Sequence, residues 1–190
     1  QGESLAAFYE RRAPLSEQEV CDILLPVICA LAAAHAKHVI HRDIKPHNIF
    51  LAQTGDGRTV TKLLDFGISK VLKTRDSALT QTSAVMGTPH YMSPEQASGS
   101  SALDWRVDQY AIGVVIYEGV TGRRPFELQT GEAVLKLVND IVHGEFEPPR
   151  SSNPLVSADF EDLVLGCMRT HPDERHDSMS SLAEALMDYA

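Results

Sequence analysis

The sequence predicts an α+β fold that is mainly α-helical and carries one short β-hairpin. Three observations predict it. Apolar residues recur at helical spacing in five segments, one of those segments is apolar nearly all round, and two short strand-like runs flank a Gly55-Asp56-Gly57 turn. A chain of 190 residues is long enough for one domain with a full core.

Taken in order, Ser16-Glu17-Gln18-Glu19 reads as a capping box, in which Ser16 covers a free N–H and Glu19 reaches back. Behind it Val20, Ile23, Leu24, Val27, Ile28 and Leu31 repeat at i, i+3, i+4, which predicts an amphipathic helix to about Lys37. Pro26 lies inside it and removes one backbone hydrogen bond or kinks the helix. Strands are expected over 49–52 and 59–64, because the Asp56-Gly57 step is a hairpin-turn signal. Residues 73–83, rich in Thr and Ser, show neither period and read as a surface loop.

Residues 105–120 include Val107, Tyr110, Ile112, Val114, Val115 and Ile116, and predict a helix buried on all sides at the centre of the fold. Asp108 falls inside it, and a buried carboxylate is costly unless several donors satisfy it. Three more helices are expected, over about 131–143, 158–169 and 178–189. Ser157 caps the second, with Asp159, Glu161 and Asp162 in its first turn. Pro148-Pro149 and Asn153-Pro154 break the chain between helices.

Composition excludes some functions. A net charge of −9 speaks against a nucleic-acid surface, which needs clustered Lys and Arg. Cys21, Cys29 and Cys167 show no C-x-x-C spacing, so buried free thiols in a reducing compartment are expected rather than a metal site or disulfide. No signal peptide and no bilayer-length apolar run is evident, so the segment reads as soluble and cytoplasmic, although a parent chain can carry a membrane anchor.

The chemistry concentrates in two blocks. His41-Arg42-Asp43-Ile44-Lys45-Pro46-His47-Asn48 is followed downstream by Asp65-Phe66-Gly67. Together they supply a base, a cation and two hard oxygen ligands of the kind Mg²⁺ prefers. A lone Asp or Lys in a loop is usually a solvated charge; four such residues in this order are not accounted for that way.

The two blocks resemble the catalytic loop and D-F-G triplet of the protein kinase family, and Lys45 resembles its serine/threonine branch. Gly87-Thr88-Pro89-His90-Tyr91-Met92-Ser93-Pro94-Glu95 resembles the end of that family's activation segment and its peptide-docking platform, which disfavours the small-molecule kinases of related fold. Its wording is similar to bacterial members. The resemblance runs over residues 1–190 but covers only the C-terminal lobe, a partial catalytic domain. No G-x-G-x-x-G strand, V-A-I-K lysine or partner glutamate helix is present.

The resemblance implies an ATP-dependent phosphotransferase acting on protein serine or threonine hydroxyls, with ATP and Mg²⁺ as cofactors and the N-lobe of a parent chain as partner. It implies Asp43 and Lys45 as catalytic residues, Asn48 and Asp65 as metal ligands, Phe50 beneath the adenine, and Thr88 bonded to the catalytic pair. His41 and Phe66 would be stacked structural residues, Asp108 would accept bonds from the catalytic-loop backbone, and Glu95 and Arg175 would form a buried ion pair. His176 stands where the family usually has proline after that arginine. Arg42 would pair with a phosphate at Thr80, Thr82 or Ser83. The alternative expectation is a kinase-like scaffold, inactive without the other lobe.

Overall fold

A computed structural model describes residues 1–64, 89–127 and 134–190. The longest helix, α2 (Glu17–His35), follows a short strand β1 (Gly2–Ser4) and a helix α1 (Leu5–Arg12). Ser16 and Glu19 form the expected capping box: Oγ of Ser16 accepts from Glu19 N, and Glu19 Oε2 accepts from Ser16 N. The helix runs unbroken through Pro26. Pro26 is exposed, as is Asp22, whose carbonyl loses its helical donor and is left open to solvent.

β2 (Ile49–Gln53) and β3 (Thr59–Leu63) pair antiparallel in the register Ile49↔Leu63 to Gln53↔Thr59. The hairpin belongs to a three-stranded sheet, since β1 adds to the other edge of β2. Neither β1 nor α1 is anticipated by periodicity, because a three-residue strand and an eight-residue helix are too short to show one. Ser4 caps α1, its Oγ accepting from Ala7 N.

Beyond the sheet come α3 (Pro94–Ala97), α4 (Arg106–Thr121), α5 (Val134–His143), α6 (Pro149–Ser152), α7 (Ala158–Cys167) and α8 (Met179–Leu186), with a last 3₁₀ turn at Met187–Tyr189. The expected helix boundaries at 169 and 178–189 therefore contract, because Met168 and Met187 already cap the helical turns. The Pro149 break is itself a single helical turn, with proline at the first position where no N–H is needed.

α4 is the axis of the molecule. It is buried from Val107 to Tyr117, half-buried at Glu118 and buried again to Val120; α2 packs on one side of it and α7 on another, while α8 packs against α2. Gly113 permits the α4–α7 approach, because a Cβ there would lie 2.6 Å from Cys167 Cβ. α4 ends at Gly122, whose φ of 72° suits a residue without a side chain. Burial raises the Cys21 and Cys167 thiols to about 12. Cys29 is exposed, against expectation, because it lies on the solvent side of α2.

α2 also amends the reading of apolar runs. With 19 residues and mean hydropathy 1.4 it is long and apolar enough to cross a bilayer. Its apolar face, Val20, Leu24, Val27, Ile28 and Leu31, is spent in the core instead.

Candidate active site

α2 ends at His35 and passes through a tight turn into loop 41–48. The loop backbone is fixed from beneath by Asp108 of α4. Asp108 is fully buried and accepts from His41 N at 2.8 Å, from Arg42 N at 2.7 Å, and lies 2.8 Å from His35 Nε2. A carboxylate only accepts, so His35 carries its proton on Nε2, and its buried Nδ1 has no partner among the described residues. Arg42 sits at φ 65°, a region costing an ordinary residue about 1–3 kcal/mol unless the surroundings hold it. The two N–H bonds into Asp108, and Gln96 Nε2 donating to Arg42 O at 3.3 Å, hold it there.

His41 is also fully buried. Its Nε2 donates to Leu64 O at 3.0 Å, and its Nδ1 accepts from Asp43 N at 3.3 Å. The ring thus splints the loop to the end of the hairpin. Leu64 N donates in turn to Asn48 O at 2.8 Å.

Above this floor three side chains converge. Lys45 Nζ lies 3.0 Å from Asp43 Oδ2, and Asn48 Nδ2 donates to Asp43 O at 2.8 Å and to Asp43 Oδ2 at 3.2 Å. Pro46–Asn48 forms one 3₁₀ turn, its proline needing no N–H, and this turn brings Asn48 back over Asp43. The Asp43 and Lys45 side chains are 23% and 32% exposed, open enough to meet a ligand. With its amide nitrogen committed to Asp43, Asn48 has Oδ1 left as a hard oxygen for a cation. Among the described residues no three His, Cys, Asp or Glu side chains cluster as metal ligands.

Phe50 lies half-buried on β2, on the face opposite the buried Ile49 and Leu51, between Ser4 and Lys62 of the neighbouring strands. Glu95 and Arg175 form a bidentate pair, with Nη1–Oε1 at 2.9 Å and Nη2–Oε2 at 2.8 Å. The Arg175 guanidinium is inaccessible to solvent, donates further to the carbonyls of Arg169, Arg106 and Thr170, and lies 5.0 Å from the Tyr110 ring centroid. His176 donates from Nε2 to Leu163 O at 3.0 Å, so it ties down the middle of α7. Asp65, Phe66, Thr80, Thr82, Ser83 and Thr88 lie outside the described residues; Asp65 directly follows Leu64 in the chain.

Sequence reasoning missed His35 and Gln96. The Ser93-Pro94-Glu95-Gln96 capping box was legible and places Gln96 at the start of α3, where it reaches the loop. Nothing in the pattern marked His35. A second missed pair is Tyr91 and Glu118, joined at 2.6 Å behind the loop. Burial holds the Glu118 carboxyl above its usual range, with Glu127 adding to it and Tyr91, Arg124 and His47 opposing.

A helical lobe whose central helix pins a loop presenting carboxylate, ammonium and amide groups on one side defines a protein-kinase-like class. The family described as protein kinase domain matches residues 1–187, and the chain belongs to that family. It is 39% identical over 189 residues to a probable serine/threonine-protein kinase of Corynebacterium efficiens, covering 97% of this chain and 27% of that protein. It is 40% identical over 190 residues to a probable serine/threonine-protein kinase of Corynebacterium glutamicum, covering 98% of this chain and 28% of that one. A serine/threonine-protein kinase of Mycobacterium tuberculosis is 32% identical over 186 residues, covering 98% of this chain and 28% of that protein. The chain therefore spans little more than a quarter of the length of these curated relatives.

Proposed function

We propose that residues 1–190 form the C-terminal lobe of a kinase that transfers the γ-phosphoryl group of ATP to serine or threonine hydroxyls of proteins. The observation that carries this reading is the Asp43–Lys45–Asn48 cluster, with Leu64 tied to both Asn48 and His41 just before Asp65. Asp43 accepts the substrate hydroxyl's proton and aims its oxygen at phosphorus; the new O–P bond forms as the bond to the β–γ bridging oxygen breaks and ADP leaves. Lys45 sets a positive charge against the transferring group. Asn48 Oδ1 and Asp65 are the residues proposed to hold Mg²⁺, which when bound neutralises the phosphate charge. His41 and Asp108 keep the loop in shape, and Phe50 meets the adenine. The lobe works where ATP is, in the cytoplasm, whether or not a parent chain carries an anchor. Thr80, Thr82 and Ser83 are proposed phosphorylation positions, with Arg42 as their partner.

The purified chain is expected to transfer phosphate negligibly, since it has no glycine-rich strand or V-A-I-K lysine. Fused behind the N-terminal part of the Corynebacterium glutamicum relative, it is expected to phosphorylate serine- and threonine-containing peptides, and Asp43→Asn to lower the rate about 10²–10⁴-fold. A folded fusion that binds ATP with Mg²⁺ yet phosphorylates no peptide would overturn the reading. So would an Asp43→Asn fusion of undiminished rate.

A further inference from the structure

A groove well away from loop 41–48 has no part in the chemistry above. It is lined by Pro14, Leu15, Glu17, Leu155, Val156 and Tyr189 among others, and encloses about 570 Å³. Leu15 and Val156 form a buried floor. Leu155 stands on the rim 91% exposed, the most exposed large apolar side chain among the described residues. Its backbone is held, Leu155 N donating to Asn153 Oδ1 at 3.1 Å while Asn153 Nδ2 donates to Val120 O at 2.7 Å. Tyr189 is fixed by an edge contact with Phe160, the centroids 4.9 Å apart. An apolar side chain held out in water on a fixed backbone gives up burial worth about tenfold in an equilibrium constant or more.

The charged side chains around the groove share one sign. Among the described residues no Lys or Arg lines it. The charged side chains acting on the Tyr189 phenol are Asp159, Glu17 and Asp188, all acidic. Two helix N-termini, those of α2 and α7, open beside it and contribute roughly half a positive charge each. Three carboxylates outweigh them, and Glu17 Oε1 already accepts from Ser157 N at 2.6 Å, which locks the two helix ends together. The rim is anionic while the floor is apolar.

We propose that this groove docks a short extended protein segment that combines an aliphatic side chain with a nearby Lys or Arg. The aliphatic group covers Leu15, Val156 and Leu155, and the cation meets the carboxylates of Glu17, Asp159 and Asp188. The site is independent of the phosphotransfer reading and stands whether or not the chain is catalytic.

The test is a positional-scanning library of immobilised hexapeptides probed with the intact chain and with Leu155→Ser. Leu155 makes no core contact, so this variant folds like the parent, and circular dichroism checks that. The expected result is selection of Lys or Arg at one position and Leu, Ile or Val at another, weakened about tenfold by Leu155→Ser and about two- to fivefold by Asp188→Asn. Higher salt also weakens binding of the selected peptides. Selection unchanged by Leu155→Ser, preference for acidic residues, or no selection at all would overturn the proposal. Concentration-dependent dimerisation of the chain that Leu155→Ser abolishes would overturn it too, by showing a second copy as the occupant.

Discussion

Replacing Asp108 by Ala takes away the one acceptor on which His41 N, Arg42 N and His35 Nε2 converge. Each buried donor left without a partner costs about 1–3 kcal/mol, and water entering the space left by the carboxylate pulls the values to the low end. Three donors give about 3–6 kcal/mol, a large share of the roughly 5–15 kcal/mol that holds a domain folded. At this chain length about 2–4 °C of melting temperature goes with each kcal/mol, so the variant should melt about 6–24 °C lower. Asp108→Asn keeps one oxygen and turns an NH₂ toward a donor, and should lose about half as much. His35→Leu removes one donor and leaves the acceptor. The assay is urea unfolding followed by far-ultraviolet circular dichroism, with the slope m checked for constancy. A double-mutant cycle between Asp108→Ala and His35→Leu should show coupling of at least about 1 kcal/mol, since the second change removes a donor that the first had stranded. A loss below about 1 kcal/mol for Asp108→Ala at unchanged m, or additive single variants, would refute the claim that these donors depend on this carboxylate.

Glu95→Ala strands the Arg175 guanidinium in a solvent-free site and should cost about 3–5 kcal/mol, read as a lower urea midpoint; Glu95→Ala with Arg175→Met should recover part of it. Glu118 predicts a pH dependence. Burial holds its folded-state pKa above the unfolded value, so its stabilising contribution is complete below the unfolded value and is lost as pH rises through the folded one. Glu118→Gln should therefore match the parent near pH 4 and become progressively more stable relative to it by pH 7, measured as urea midpoints across that range. A difference that shrinks with rising pH would contradict the assignment. If the fusion enzyme is active, the same Glu118→Gln series also reports whether Tyr91, whose hydroxyl donates to that carboxyl, holds its position.

Much of the fold was legible because its signals are local. The capping box at Ser16, the helical repeat from Val20 to Leu31 and the Asp56-Gly57 turn each act within a few residues, and each appears where the pattern put it. β1 and α1 were not legible, because the strand is defined by its partner β2 and the helix by packing beneath the 3₁₀ turn at 46–48. The contraction of the last helices was equally invisible, since caps at Met168 and Met187 carry no distinctive residue type. Cys29 was misjudged because an apolar helix has a solvent side that composition alone does not locate.

By itself the sequence determined which chemical groups are present and their order: Asp43, Lys45 and Asn48 within one loop, Asp65 after a hairpin, and a carboxylate at 108 inside an apolar helix. No local pattern placed Asp108 under the loop or Arg175 against Glu95, which only the family resemblance implied; the tertiary structure supplied those contacts and added His35, which nothing in the sequence marked. The physical reason is one of range. Propensities, caps and turns depend on neighbours in the chain, whereas a buried carboxylate or guanidinium persists only where distant backbone donors and acceptors happen to close around it, and that depends on how whole helices pack.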